Sequence, residues 1–264
     1  MGGKPPVSQF PDLAGLSAAL VDHRLVAAIA IAVISGLVRG FSGFGSALIY
    51  MPLISAVYDP RIAVTTLLII DTLCALPFAL QAMPQCNWRE VAPVSLAACV
   101  ALPLGSLALV LVDPLWLRWL IVVLVLAALA ALMSGWRYHG RPTVAAALGV
   151  GLLAGFGAGA VQIGVPPLLV FWLGGANKAA TVRANIMVYF IVQDALSFLA
   201  YYWNGLFTRE TLALALLLGV QFGVALAAGA YWFHGSSEQL YRRAAYAIIA
   251  LAVLVSLPIF DALR

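Results

Sequence analysis

Apolar positions in this chain form long unbroken runs separated by short polar punctuation, rather than the one-sided stripes of a soluble helix. Residues 62–82, 91–112, 115–134, Ala179–Trp203, 211–233 and 240–260 each match the length of about 20 residues that carries a helix across a bilayer core. Two places break the pattern. The run Gly36-Leu37-Val38-Arg39-Gly40-Phe41-Ser42-Gly43-Phe44-Gly45-Ser46 separates two short apolar stretches, 25–38 and 47–58. The weaker run Gly151-Leu152-Leu153-Ala154-Gly155-Phe156-Gly157-Ala158-Gly159 separates 143–157 from Val165–Leu173. A proline step follows each, Met51-Pro52 and Pro166-Pro167. The pattern predicts two short helices joined by a glycine hinge at each place, as a re-entrant hairpin or a pair of steep crossings.

A shift of 115 residues lays Gly36, Leu37, Gly40, Phe41, Pro52 and Leu53 on Gly151, Leu152, Gly155, Phe156, Pro167 and Leu168. The chain therefore divides into an N-terminal segment (1–24), a first membrane repeat (25–134), a polar inter-repeat loop (135–142) and a second repeat (143–264). Each repeat reads as one broken pair plus three full helices. A pair that returns to its starting side leaves three further crossings, so the second repeat is inverted and the two broken elements approach from opposite faces. One side then gathers Arg89, Arg137, Arg141, Arg242 and Arg243, with Lys178, Arg183 and Arg39 nominally facing it, while the internal loops of the other hold Arg61, Arg118 and Arg209. Positive residues favour the cytoplasm, which places the N-terminus outside. The rival count, with one full crossing and one re-entrant piece per repeat, divides Lys and Arg evenly. The expected fold is an all-α polytopic membrane bundle of two pseudo-symmetric, inverted halves. Paired Gly/Pro-interrupted segments at matching places in two halves point to a transporter's binding site.

Composition removes the soluble alternatives: 64% of residues are apolar and 9% charged, against about 25% charged in an ordinary domain. The net charge of +4 comes from scattered single residues, without the basic stripe of a nucleic-acid binder. Residues 1–24 lack the features of a cleaved signal peptide. Cys74, Cys86 and Cys99 have no metal-like spacing and read as small apolar fillers; neither a metal nor a cofactor is expected. The seven tryptophans all fall near predicted helix ends, as an interfacial belt would. Gly151-x-x-x-Gly155-x-x-x-Gly159 and Gly219-x-x-x-Gly223 read first as close helix contacts.

Ionisable and amide groups inside the apolar spans carry the chemistry, because they are costly there unless they face a cavity or each other. At membrane depth Arg39 supplies a guanidinium. Ser42, Gly43, Gly45 and Ser46 supply hydroxyl and backbone donors, and helix N-termini add positive partial charge. Such a site suits a small oxyanion, which arginine grips through two parallel hydrogen bonds. The bland reading, Arg39 as a topology signal at the membrane edge, stays open. From the second run, Gly157, Gly159 and Gln162 complete the site. Asp71 and Asp194 lie mid-helix, and either neutralises Arg39 or Arg183 as a fixed pair, or binds and releases a coupling proton. Asn185, Tyr189, Gln193, Ser197 and Tyr201 recur every fourth residue as one polar ridge turned away from lipid; helix–helix hydrogen bonding explains it as well as a translocation path does.

Arg39-Gly40-Phe41-Ser42-Gly43-Phe44-Gly45-Ser46 with Met51-Pro52, then Gly155-Phe156-Gly157-Ala158-Gly159 before Pro166-Pro167, and Val182-Arg183-Ala184-Asn185 downstream, resemble the sulfite exporter TauE/SafE family. The resemblance covers nearly the whole chain. It implies an inner-membrane secondary transporter for sulfite or organosulfonates. Its expected partners are the small anion, the lipid bilayer, and protons or another coupling ion. A passive anion channel, or a carrier of another carboxylate-type anion, is the alternative. An enzyme is not expected: His23, His139 and His234 sit at span ends or in loops, with no metal-binding pair among them.

Overall fold

The computed structural model describes residues 24–42, 45–134, 143–173, 179–232 and 238–259. Their elements are helices α1 (Leu25–Ser42), α2 (Ser46–Val57), α3 (Pro60–Ala82), α4 (Trp88–Leu111), α5 (Pro114–Ser134), α6 (Val144–Val161), α7 (Val165–Leu173), α8 (Ala179–Trp203), α9 (Arg209–Trp232) and α10 (Glu238–Ser256), with a 3-10 turn at Met83–Gln85. No strand occurs among the described residues, and six of their helices are long and apolar enough to cross a membrane. The inter-repeat loop 135–142 and most of segment 1–24 lie outside the described residues.

Two of the expected short helices, α2 and α7, are where the sequence pattern puts them. The stretch 143–157, expected to be short, extends to the 18-residue α6 and is one of the six long apolar helices, whereas 240–260, expected as a full crossing, gives α10, which is not among them. The breaks are not at the glycines as a class. Gly36 and Gly40 lie inside α1, and Gly151, Gly155, Gly157 and Gly159 lie inside α6. Packing overrides their poor helix propensity, because each of these two helices presses its backbone against a partner. A Cβ on Gly40 would run into the Leu226 carbonyl of α9, and one on Gly159 into the Leu102 carbonyl of α4. Successive contacts rise in number together (Gly36 at Phe222 and Ala225, Gly40 at Leu226; Gly151 at Val94 and Ala97, Gly155 at Ala98), so α1 runs parallel to α9 and α6 parallel to α4. Gly219 and Gly223 behave differently. They meet only the Ile70 and Cys74 side chains of α3 at 3.7 and 3.4 Å, an ordinary side-chain contact.

The actual breaks fall at Gly45, with φ 99°, and at Gln162, with φ 56°. The first is a conformation that glycine adopts freely. Gln162 is the one non-glycine residue with positive φ among those described. It is held there by its own N–H bonded to the Ala158 carbonyl and by Ile163 N–H bonded to the Gly157 carbonyl. α2 returns toward the level at which α1 began: Arg24 donates to the Val57 carbonyl (3.2 Å) and its guanidinium lies 5.5 Å from the Tyr58 ring centre. At about 1.5 Å per residue, the 12-residue α2 and the 9-residue α7 are too short to cross a bilayer core.

Two apolar clusters fill the bundle. One joins α1, α2, α3, α5, α9 and α10; the other joins α4, α6, α7 and α8. Tryptophan follows the belt expectation at Trp88, Trp116 and Trp203, which are exposed at helix ends. Trp172 departs from it, buried in the second cluster with its ring centre 6.5 Å from that of Tyr189. Arg61, read from sequence as a loop charge, instead closes the C-terminus of α4, donating to the carbonyls of Leu109, Val110 and Val112 at 2.9–3.2 Å. A cation there complements the helix dipole.

Candidate functional site

Both helix breaks open onto a single cleft. α1 contributes Arg39, and the first hinge contributes Gly45 and Ser46. α3 contributes Leu68, Asp71 and Thr72. The second hinge contributes Gln162 through Pro166, and α8 contributes Phe190 and Asp194. Asp71 stands midway along the 23-residue α3, and the Ser46 hydroxyl donates to it (3.2 Å). The first hinge is therefore at mid-height in the bundle rather than at its edge.

Arg39 is 6% exposed and its guanidinium meets the Asp71 carboxylate at 2.8 Å. A buried cation of this kind is tolerable only when paired and hydrogen-bonded. Its flat face also lies 4.8 Å from the Phe190 ring centre, a cation–π contact. Across the cleft, Asp194 accepts from the Thr72 hydroxyl at 2.8 Å. The cleft thus holds one guanidinium, two carboxyl groups and two hydroxyls between apolar walls. Asp194 does not pair with Arg183, which lies eleven residues earlier on the same helix and so about 16 Å away along it.

Behind the second hinge is a buried amide–phenol network. Gln162 Nε2 donates to the Tyr201 hydroxyl (3.2 Å), and that hydroxyl donates to the carbonyls of Ala158 and Gly159. Gln193 Nε2 donates to Gln162 Oε1 (3.4 Å). This network fixes the strained turn and ties α6 to α8.

The expected site residues therefore separate into three groups. Arg39, Gly45, Ser46, Gln162, Asp71 and Asp194 come together in the cleft. Gln193 supports Gln162 from behind, while Gly157 and Gly159 pack against the Ile163 and Leu102 carbonyls. Asn185 lies elsewhere. Its Oδ1 accepts from the Asn87 N–H (2.8 Å) and its Nδ2 donates to Glu90 (3.3 Å), so it ties α8 to the α3–α4 turn. Tyr189 faces Trp172 in the second core cluster. Gly43 and the Ser42 side chain lie outside the described residues. The polar ridge on α8 is buried along its whole length, as expected; Asn185, Gln193 and Tyr201 hydrogen-bond to other segments, whereas the Tyr189 and Ser197 hydroxyls have no hydrogen-bond partner among the described residues. Thr72 and Phe190 were missed. Each had a signal: Thr72 adjoins Asp71, and Phe190 lies one turn before Asp194 on the stripe Arg183, Met187, Phe190, Asp194.

The sequence profile of the sulfite exporter TauE/SafE family matches residues 28–256, nearly the whole described bundle. The chain belongs to that family. TauE/SafE membership and the six long apolar helices make it a multi-pass protein of membrane transport. No match was found among curated proteins or among solved structures. Within this TauE/SafE chain, the first glycine run and the turn that follows the second contribute to the cleft that contains Arg39.

Proposed function

We propose that this protein is a secondary transporter that carries a small sulfur oxyanion, sulfite or an organosulfonate, across the inner membrane by alternating access. The carrying observation is that the two helix breaks, one from each half, converge on one mid-height cleft holding a buried, paired arginine. Arg39 and the Ser46 hydroxyl grip the anion, and Asp71 is the resident counter-charge with which the anion competes. Inside apolar walls, adding one negative charge is costly unless a proton accompanies it. Asp71 or Asp194 takes that proton, so anion and proton move together and the cleft keeps its charge.

Inverted halves account for the motion. Three features support that relation. α1 packs on α9 as α6 packs on α4, with Gly36 and Gly40 meeting Phe222 and Leu226 as Gly151 and Gly155 meet Val94 and Ala98. α3 and α8, the matched long helices, run antiparallel, since Leu68 and Thr72 share a cavity with Asp194, whereas Ala75 and Ala79 share one with Arg183. The C-terminal part of α1 shares a cavity with the C-terminal half of α3, Arg39 and Gly40 with Ala75 and Ala79, which favours a returning hairpin over the rival count. Rocking one half against the other exposes the cleft to each side in turn.

The deciding experiment is flux into proteoliposomes of sulfite, methanesulfonate, sulfate and acetate, with and without a pH gradient. Saturable sulfite or sulfonate flux that a pH gradient drives, and that Arg39→Gln abolishes at normal protein yield, is the expected result. Ohmic, non-saturating current would make the protein a channel. Movement of acetate without sulfite or sulfonate would overturn the substrate class.

A further inference from the structure

A second cavity continues the first along the α3–α8 seam, toward the N-terminus of α8. Its walls include Arg183, Met187, Phe78, Ala79, Leu226 and Ala230. The two cavities share two residues, Arg39 and Phe190, and these are the pair in face-on contact. On α8 the spacing Arg183, Met187, Phe190, Asp194 puts all four on one face, so a single stripe passes from the second cavity, past the shared ring, into the first. No carboxylate lines the second cavity, whereas the first has two. Arg183 is exposed, and among the described residues it has no ion-pair partner.

We propose that this second cavity is a capture station for the same class of small oxyanion, in which Arg183 receives the anion before it passes Phe190 to Arg39. The proposal rests on the carrier reading of the first cleft. The charges divide the work. Arg39 is already neutralised by Asp71, so it grips at short range and exerts little pull at a distance. Arg183 carries uncompensated charge above apolar walls, an arrangement that concentrates the field and raises the local concentration of counter-ions. Phe190 partitions the two stations, and its contact with Arg39 keeps the partition closed when no anion is bound. Two cationic stations in series, the outer exposed and the inner buried, give the anion a stepwise loss of hydration.

Two measurements on the full chain test this. In proteoliposomes at low ionic strength, Arg183→Gln raises the KM for sulfite roughly three- to tenfold, in keeping with loss of electrostatic focusing, and leaves kcat unchanged. High salt erases the difference, and Arg183→Lys restores most of the wild-type KM. An unchanged KM, or a fall in kcat alone, overturns the station. The second measurement needs no transport. With the three native cysteines replaced by serine, Met187→Cys is labelled faster by a methanethiosulfonate bearing a sulfonate than by one bearing a trimethylammonium. Adding Arg183→Gln removes that preference. Equal rates with Arg183 in place overturn the station even where Arg39→Gln abolishes flux. Retained flux in Arg39→Gln overturns the carrier reading while the labelling preference persists.

Discussion

At the scale of single residues, the central fact is that Arg39 is already occupied. The Asp71 carboxylate lies 2.8 Å from it, so on the proposed carrier reading an incoming anion has to displace a covalently tethered competitor. A hydrogen bond to a charged group contributes about 1.5–3 kcal/mol, and Asp71→Asn removes the competitor's charge while keeping its shape. The variant should therefore bind sulfite roughly tenfold more tightly or better and transport it more slowly, read as a lower Kd by calorimetry beside a lower kcat. Unchanged affinity would mean that Asp71 does not share the anion's position. The fuller truncation, Asp71→Ala, removes the hydrogen-bond acceptor as well as the charge; breaking a buried ion pair typically costs about 3–5 kcal/mol, and Ala should lower the yield of folded protein more than Asn does. Arg39 and both aspartates were legible as chemistry because charge inside an apolar run stands out. Thr72 and Phe190 were not, since a threonine and a phenylalanine in a membrane helix are unremarkable until the facing helix is known.

Among the helices, the glycine runs have two jobs that look alike in sequence. Gly36, Gly40, Gly151, Gly155 and Gly159 let backbones meet, whereas the chain turns at Gly45 and at Gln162. A side chain at Gly40 meets the Leu226 carbonyl, and overpacking of this kind costs about 1–3 kcal/mol. Gly40→Val should lower the melting temperature in detergent by several degrees. Gly149, on the same α6 as the packed glycines, has open space where its Cβ would be; Gly149→Ala should keep or raise it, because alanine is the better helix former by about 0.5–1 kcal/mol. Equal effects at both positions would count against backbone contact as the reason for the runs. The four-residue periodicity of the α8 ridge told correctly that it avoids lipid. It did not tell that the adjacent stripe faces the cleft, because periodicity fixes the angle between stripes and not which neighbour each one meets. The turn at Gln162 was hidden for a similar reason: its left-handed backbone depends on contacts from Tyr201 and Gln193, far along the chain.

For the molecule as a whole, the prediction is sidedness. With the N-terminus outside, the Met83–Gln85 turn faces the cytoplasm and the α4–α5 turn at Asp113 faces outward, and both Gln85 and Asp113 are exposed. In a cysteine-free background, Gln85→Cys should resist an impermeant thiol reagent added to intact cells and react once the cells are opened, while Asp113→Cys should react in both. The reverse pattern would turn the protein over without altering its internal plan. Much of the helix order was visible in the residues: apolar run lengths gave the number of helices and the two short ones, α2 and α7, that follow the glycine runs, though not the full 18-residue length of α6. The depth of the hinges was not visible, since it depends on the Ser46–Asp71 bond, which links distant segments. The built-in Asp71 counter-ion also bears on the empty half of the working cycle. A carrier whose arginine would stand bare without cargo is confined to one-for-one swapping, because no vacant form can cross over. On the proposed carrier reading the vacant form brings its own stand-in for the cargo, so preloaded vesicles should discharge sulfite into anion-free buffer as readily as into buffer containing it.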